Sequence, residues 1–343
     1  MRIGIMGAGS LGTIIGALIS KGSDEVELID VYQEHVNTLN EVGATITGTM
    51  NETIRVKAIT PKEMSGTYDL VLLLTKQVFN QDVVTNLKGY LHNDSVVLSL
   101  QNGVPEEDLV SILGEKHVIG GSVEFGATFI EPGVSELTTA TEAFKGNAFQ
   151  IGELDGSISE RIQEIKKILD LVGGTHVTDN LVGTKWAKLL VNVALSGMSA
   201  ALGCTFGEVI KDEAAVYSAV RLADETIRVA EAAGVTLAPL SGFDLGIFKL
   251  VEDESNLPMA IGFARKAFEP QALLRASMLQ DLEKQRKTEI DYINGFVVTK
   301  GKDLGVATPY NDLVVRLVQK AEEEKAVTSF EVNIPFFKEL MQG

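Results

Sequence analysis

Three polar side chains recur every fourth residue in an otherwise apolar stretch, GTKWAKLLVNVALSG, at residues 183–197: Lys188, Asn192 and Ser196. Positions four apart share one helix face, so an ammonium, an amide and a hydroxyl would form one stripe. Such a stripe suits an oxygen that gains negative charge during a reaction. The cation stabilises that charge, and the same amine can deliver a proton. A free lysine, with a pKa of about 10.4, is a reluctant donor, so partial burial would have to lower it. The plainer alternative is a solvated face on which a long lysine snorkels.

Near the start, IGIMGAGSLG carries Gly7, Gly9 and Gly12 in G-x-G-x-x-G spacing, after an apolar run and before a helical one. In that context the first glycine allows a tight turn, the second lets the backbone approach a pyrophosphate, and the third lets helix and sheet pack closely. The helix start at Ser10 and Leu11 would aim free N–H groups and a partial positive charge at the phosphates. Asp30 ends the next apolar run, where an acidic side chain bonds a ribose 2′-hydroxyl. No Lys or Arg falls between Lys21 and Arg55. A 2′-phosphate would meet no cation and one repelling carboxylate, which favours NADH over NADPH. Two more runs finish on polar residues, one on Thr75 and Lys76, the other on Gln101, Asn102 and Gly103. Open α/β sheets bind ligands outside the carboxyl ends of their strands. Lys76 could therefore hold a ribose, phosphate or carboxylate, and Asn102 the nicotinamide ribose and substrate.

These groups need elements to carry them. Residues 2–6, EVELID, YDLVLLLTK, DSVVLSLQNG and KHVIGGSVEFGATFI read as strands, several as continuous apolar runs suited to a parallel sheet buried on both faces. ATITGTMNETIRVKAIT reads as two short strands in a hairpin, and 134–152 as further strands. Helical stretches fall at SLGTIIGALISKG, YQEHVNTLNEVG, 77–90, 105–114 and 157–172. The alternation predicts an α/β, Rossmann-type doubly wound sheet. From 181 to 325 only helical periodicity is visible, interrupted at GVTLAPLSG, NLPMA and DLGVATP, with Thr308 as cap and Pro309 at the first helical position. This gives a dinucleotide-binding domain at 1–178 and an all-α substrate and dimerisation domain at 179–343. The tail from 327, with NIPFF, is expected to dock on the body or a partner.

A chain of 343 residues has room for two cores. Its formal net charge of −17 argues against nucleic acid or an anionic membrane as partner. An anionic substrate must then be captured by local cations. No apolar run is long enough to span a membrane, and RIGIMGAG does not resemble a signal peptide, so a cytoplasmic protein is expected. Cys204 is the single cysteine, which excludes an internal disulfide and a cysteine-based zinc cluster; its apolar surroundings suggest an inert buried thiol. His35, His92, His117 and His176 show no ligand spacing and are expected at loops or strand ends. No metal site is expected.

GAGSLG, WAKLLVN at 186–192 and SMLQDLEKQRKTEIDYING at 277–295, with TK at 75–76, QNG at 101–103 and GVATPYN, make the chain resemble the ketopantoate reductase family over nearly its whole length. The resemblance implies a Rossmann domain followed by a helical domain of 6-phosphogluconate-dehydrogenase type, a homodimer, and reduction of 2-dehydropantoate to D-pantoate with NADPH, on the route to pantothenate. It places the catalytic lysine on Lys188, a substrate asparagine on Asn192, a carboxylate-binding serine on Ser277, the family's glutamate on Glu289, and its strand-end pair on Lys76 and Asn102. Glu289 could bond the substrate hydroxyl and hold Lys188, opening a new helix capped by Thr288. Over an unbroken helix Ser277 and Glu289 would point about 120° apart, so a break at KQRKT is needed for them to share a cleft. Two asparagines usual in the family are here Ser196, kept as a substrate contact, and Leu274, and Val31 stands where the family often has a basic residue. These departures favour the alternative of an NAD-dependent D-2-hydroxyacid dehydrogenase acting on branched or aromatic 2-oxo acids. The other rivals are a non-catalytic dinucleotide-binding regulator and a dehydrogenase of 6-phosphogluconate or opine type.

Overall fold

The computed structural model describes residues 1–343 except Asp24, Ser241 and Gly343. The chain divides into two units, one of Met1–Gln101 with Pro105–Leu181, the other of Asn102–Val104 with Val182–Gly343.

The first unit is built on strands β1 (Ile3–Met6), β2 (Val26–Ile29), β3 (Ala44–Gly48), β4 (Glu52–Ile54), β5 (Lys57–Ile59), β6 (Tyr68–Leu73), β7 (Leu91–Ser99), β8 (Val118–Val123), β9 (Ala127–Glu131), β10 (Val134–Leu137), β11 (Phe149–Gly152) and β12 (Thr175–Val177). Its main sheet has the order β12-β11-β8-β7-β6-β1-β2-β5. From β5 to β8 every pairing is parallel, which is the dinucleotide-binding order 3-2-1-4-5-6. β1 and β2 are buried at every position, as apolar strands covered on both faces must be. The sheet is not wholly parallel, because β11 joins β8 antiparallel.

The expected 44–59 hairpin forms from β3 and β4 alone, and these belong to a separate four-stranded sheet, β4-β3-β10-β9. The remaining piece, β5, instead pairs parallel with β2; three residues beginning with an exposed lysine carry no readable periodicity. The Ser10–Ser20 helix packs on β1 and β2 and on β3, β9 and β10. Sheets on two sides explain why Gly12 through Ile19 are all buried. The stretch 134–152 also holds a helix, Thr141–Gly146, between β10 and β11.

His35 departs from expectation, lying within the Gln33–Glu41 helix and fully buried. Its Nε2–H donates to Ala8 O (2.7 Å) and its Nδ1 accepts the N–H of Gly133 (2.9 Å). Burial lowers its pKa, so a neutral imidazole ties the glycine loop to the β9–β10 turn.

In the second unit the Glu213–Ala232 helix is central, capped by Asp212, whose Oδ1 accepts from Ala214 N and Ala215 N (3.0 and 2.9 Å). The helices Leu257–Phe268, Asn294–Leu304, Pro309–Glu324 and Phe330–Leu340 pack on it. NLPMA does not interrupt a helix; it starts one, with Asn256 at the cap position and proline in the first turn. Thr308 and Pro309 hold the expected positions, but the carboxylate of Glu225, not the Thr308 hydroxyl, accepts the free N–H groups there. The tail docks on its own unit: Phe337 is fully buried and Asn333 Nδ2 donates to Ala201 O (2.7 Å). Cys204 is buried, which pushes its thiol up to about 12.

Candidate active site

At the carboxyl end of the main sheet four strand exits meet. Gly7 N and Ala8 N donate to Ile29 O (2.9 and 3.3 Å), Leu74 N to Met6 O (2.9 Å), and Leu100 N to Leu73 O (3.0 Å). The glycine loop, Asp30, Thr75 with Lys76, and Gln101 therefore share one rim.

The three glycines differ in what requires them. Gly7 has φ 97°, and a Cβ there would lie 2.8 Å from Thr75 N. A Cβ on Gly12 would lie 2.0 Å from Gly7 O. Gly9 has nothing within 4 Å of its Cβ position and caps the Ser10–Ser20 helix, whose first turn holds no acidic residue. Gly9 is exposed, and Ser10 and Leu11 are half-buried. The loop is thus closed at its two ends and open at its centre, over N–H groups that a helix start leaves without partners. Thr75 Oγ1, beside Gly7, is a buried hydroxyl with no hydrogen-bond partner. These features fit a pyrophosphate-bearing dinucleotide.

Asp30, half-buried, is oriented by the N–H of Tyr32, which donates to its Oδ1 (2.9 Å). Val31 beside it is 82% exposed, and the nearby Tyr32 hydroxyl donates to Glu34 (2.8 Å). The chain leaving β2 is acidic, with Asp30 and Glu34 and no Lys or Arg from Val26 to Val36. Lys76 caps the short Gln77–Phe79 turn. Behind it, Gln101 Nε2 donates to Thr75 O (2.6 Å) and to Asn80 Oδ1 (2.7 Å), and Asn80 Nδ2 donates back to Gln101 Oε1 (3.2 Å). This amide pair locks the β6 exit to the β7 exit. Asn80 was not legible as a site residue; an asparagine opening a helix carries only a capping signal.

In the helical unit, Leu181–Val191 is α-helical, Asn192–Gly197 forms a π turn, and Met198–Leu202 resumes the α form. Between 183 and 200 every residue is buried except Lys188, Val191, Asn192 and Ser196, which are half-exposed. The expected stripe exists, but not on a uniform α-helix. Four α residues overshoot a turn by about 40°, whereas the wider π turn makes the same four fall short, so Ser196 is kept on the face of Asn192. Lys185 is off the stripe, buried at 3% exposure.

Ser277 is exposed at the first position of the Ser277–Glu283 helix, which packs on the π turn. The break needed at KQRKT is present: the helix stops at Lys284 and Gln285 has φ 52°. Glu289, nearly buried, opens only a single 3-10 turn, Ile290–Tyr292. Thr288 Oγ1 does accept from Ile290 N (3.2 Å), and it donates to Glu322 Oε1 (2.5 Å), which also accepts Thr288 N (2.7 Å). Glu322, which sequence reasoning missed, pins this corner. Asn102 is half-buried ahead of Gly103, whose φ is 74°, and Val104 packs on the helical core. Among the described residues no cluster of three His, Cys, Asp or Glu could hold a metal ion, and no helix is long and apolar enough to cross a membrane.

A parallel sheet in dinucleotide-binding order, a glycine cradle open at its centre and a helical unit with a half-exposed lysine define a dinucleotide-dependent oxidoreductase. The chain belongs to the ketopantoate reductase family: the model of ketopantoate reductase PanE/ApbA matches residues 3–150 and that of its C-terminal part residues 180–322. The 2-dehydropantoate 2-reductase of Pyrococcus horikoshii is 31% identical over 94% of this chain and 98% of its own. Among solved structures, D-mandelate dehydrogenase with NADH and anilino(oxo)acetate superposes with TM-score 0.80 at 27% identity, covering 95% of this chain and 99% of that one. The PanE/ApbA family ketopantoate reductase from Ralstonia eutropha JMP134 gives 0.79 at 26% identity, with the same coverage of both chains.

Proposed function

We propose that this oxidoreductase reduces a 2-oxo acid to its 2-hydroxy acid, with 2-dehydropantoate as substrate and NADH as preferred nucleotide. The half-exposed stripe of Lys188 and Asn192 on a buried helix carries this reading, because between 183 and 200 only Val191 and Ser196 are otherwise half-exposed, which leaves Lys188, Asn192 and Ser196 as the helix's polar outlet. The nucleotide, when bound, supplies hydride. Lys188 stabilises the charge developing on the carbonyl oxygen and delivers the proton that completes the alcohol. Asn192 bonds the same oxygen, Ser277 receives the carboxylate, and Glu289 bonds the substrate hydroxyl and orients the lysine. Asn102 bonds the nicotinamide ribose and substrate, and Ser196 widens the substrate contact. Gly7, Gly9, Ser10, Leu11 and Gly12 hold the pyrophosphate, Lys76 a ribose or phosphate, and Asp30 the ribose hydroxyls.

The carboxylate of Asp30 beside an exposed Val31 supports NADH over NADPH. A second substrate reading, a branched or aromatic 2-oxo acid, is favoured by Ser196 and Leu274 and by the likeness to D-mandelate dehydrogenase with bound NADH. A cytoplasmic homodimer belongs to the same reading; the exposed Met259, Leu273 and Leu274 are the kind of apolar surface a second copy covers. A steady-state screen of 2-oxo acids with both nucleotides tests all but the assembly. Turnover of 2-dehydropantoate with NADH supports the first reading, preference for an aromatic acid supports the second, and no oxidation of either nucleotide by any oxo acid refutes both.

A further inference from the structure

A π turn needs outside support, because the extra residue in each turn spoils the regular α ladder. Here the turn carries Asn192 and Ser196 and follows Lys188 by one helical turn. Its support is a buried polar chain. Asn294, wholly buried at the start of the Asn294–Leu304 helix, donates through Nδ2 to Val193 O, a carbonyl of the π turn (3.3 Å), and to Asn311 Oδ1 (3.0 Å). Asn311, equally buried, donates in turn through its Nδ2 and its backbone N to Glu225 Oε2 (2.8 and 3.0 Å), while Tyr310 N donates to Oε1 (2.9 Å). Glu225 is thus fixed by the start of the Pro309–Glu324 helix, and Asn311 is fixed by Glu225.

The orientation of Asn294 follows from its partners. Both atoms facing Nδ2 are acceptors, so an exchanged amide would set oxygen against oxygen twice. Its Oδ1 is left buried with no partner, a cost accepted at a site where the two donors are needed. Contact is close as well as polar: a Cβ on Gly197, the last residue of the π turn, would lie 2.6–3.0 Å from the side-chain atoms of Asn294. Asn294 also ends the segment that begins at Glu289, with the Ile290–Tyr292 turn between them. One side chain therefore couples the element bearing Asn192 to the element bearing Glu289.

We infer that Asn294, held by Asn311 and through it by Glu225, is a positioning residue that fixes the π turn and so the direction in which Lys188 and Asn192 project. The inference rests on the roles given to Lys188 and Asn192 above.

Two measurements separate it from that reading. Asn294→Asp keeps the shape but, when ionised, has neither donor. Hydrogen exchange of the 192–198 amides, read by mass spectrometry without nucleotide, should rise at least fivefold in this variant while helix Ser10–Ser20 is unchanged. In kinetics, kcat should fall about tenfold to a hundredfold, the range expected when reacting groups are displaced by up to an ångström, with the Kd for NADH within twofold of wild type. Activity of Asn294→Asp should recover more steeply than that of wild type as pH is lowered, because the protonated acid regains one O–H donor. Both proteins share the dependence on Lys188 and on Glu225, whose pKa burial raises to about 7, so the difference between the two profiles is the readout. Gly197→Ala should lower kcat alone yet add no loss on top of Asn294→Ala, which vacates the contested space. If Asn294→Asp does not fold, this Gly197–Asn294 pair decides the matter: additive losses overturn the proposal. Unchanged exchange at 192–198, or raised exchange with wild-type kcat and pH profile, also overturns it. Raised exchange in a protein whose wild type turns over no oxo acid overturns the functional reading instead.

Discussion

Alanine at Gly9 and alanine at Gly12 should do opposite things, although the two sites are three residues apart. At Gly12 the new methyl would sit 2.0 Å from Gly7 O and 3.0 Å from Gly7 C. The obstacle is backbone, so loop and helix must separate by about an ångström before the contact becomes tolerable. Overpacking of this kind costs about 1–3 kcal/mol, which in a domain of 150–250 residues lowers Tm by roughly 2–12 °C. At Gly9 the backbone has φ −67° and the Cβ position is open for 4 Å. Alanine there should leave Tm within about 2 °C, since substitutions that touch nothing stay within about 0.5 kcal/mol. Its methyl nevertheless stands over the helix N-terminus, where the pyrophosphate must approach. Loss of even one close N–H contact, about 1.4 kcal/mol, raises the Kd for NADH tenfold. The assay is differential scanning fluorimetry beside NADH titration by intrinsic fluorescence. A Gly9→Ala protein with unchanged Kd would refute the loop as the phosphate cradle. A Gly12→Ala protein with wild-type Tm would refute the packing argument.

Lys188→Ala should lower kcat by about two to four powers of ten, the span of a lost proton donor, with the NADH Kd unchanged; near-normal turnover removes Lys188 from the chemistry. Replacing Asp30 by Ser and Val31 by Arg should raise the NADPH-to-NADH ratio of kcat/KM by at least about tenfold; a ratio that stays put means that Asp30 does not select the nucleotide. Stability should also fall in acid through Glu27. Burial opposes its charge, but bonds from Lys57 (2.5 Å), Tyr68 (2.7 Å) and Arg2 (2.7 Å) outweigh that and hold its pKa below the ordinary 4.5. A depressed carboxylate contributes stability above its unfolded pKa and loses it as pH falls through the folded value. Glu27→Gln should therefore cost stability at pH 7 and narrow its gap to wild type below pH 4, measured by urea unfolding; a gap independent of pH would contradict this.

What the sequence made legible was whatever depends on neighbours along the chain. The strand–glycine–helix start, the apolar parallel strands and the four-residue polar stripe are all local patterns, and each is present. β5 escaped because its strand character comes from β2, not from its own three residues. The burial of His35 follows from Gly133, almost a hundred residues away. The π turn at 192–197 is the most instructive case. Its residues read as ordinary helix, since periodicity cannot distinguish a turn of 3.6 residues from a wider one over six positions. The partner that supports it is Asn294, which in turn depends on Asn311 and Glu225, three residues from three separate helices. Each looks, in sequence, like a polar residue at a helix end or on a helix face. Only packing turns them into one chain of donors and acceptors ending on a carbonyl beside the stripe. Sequence can therefore name the groups proposed for the chemistry, because their types and spacing are chemical. The groups that aim them act through contacts between distant segments, and a change at Asn294 should be felt at Lys188 although nothing in the linear order connects the two.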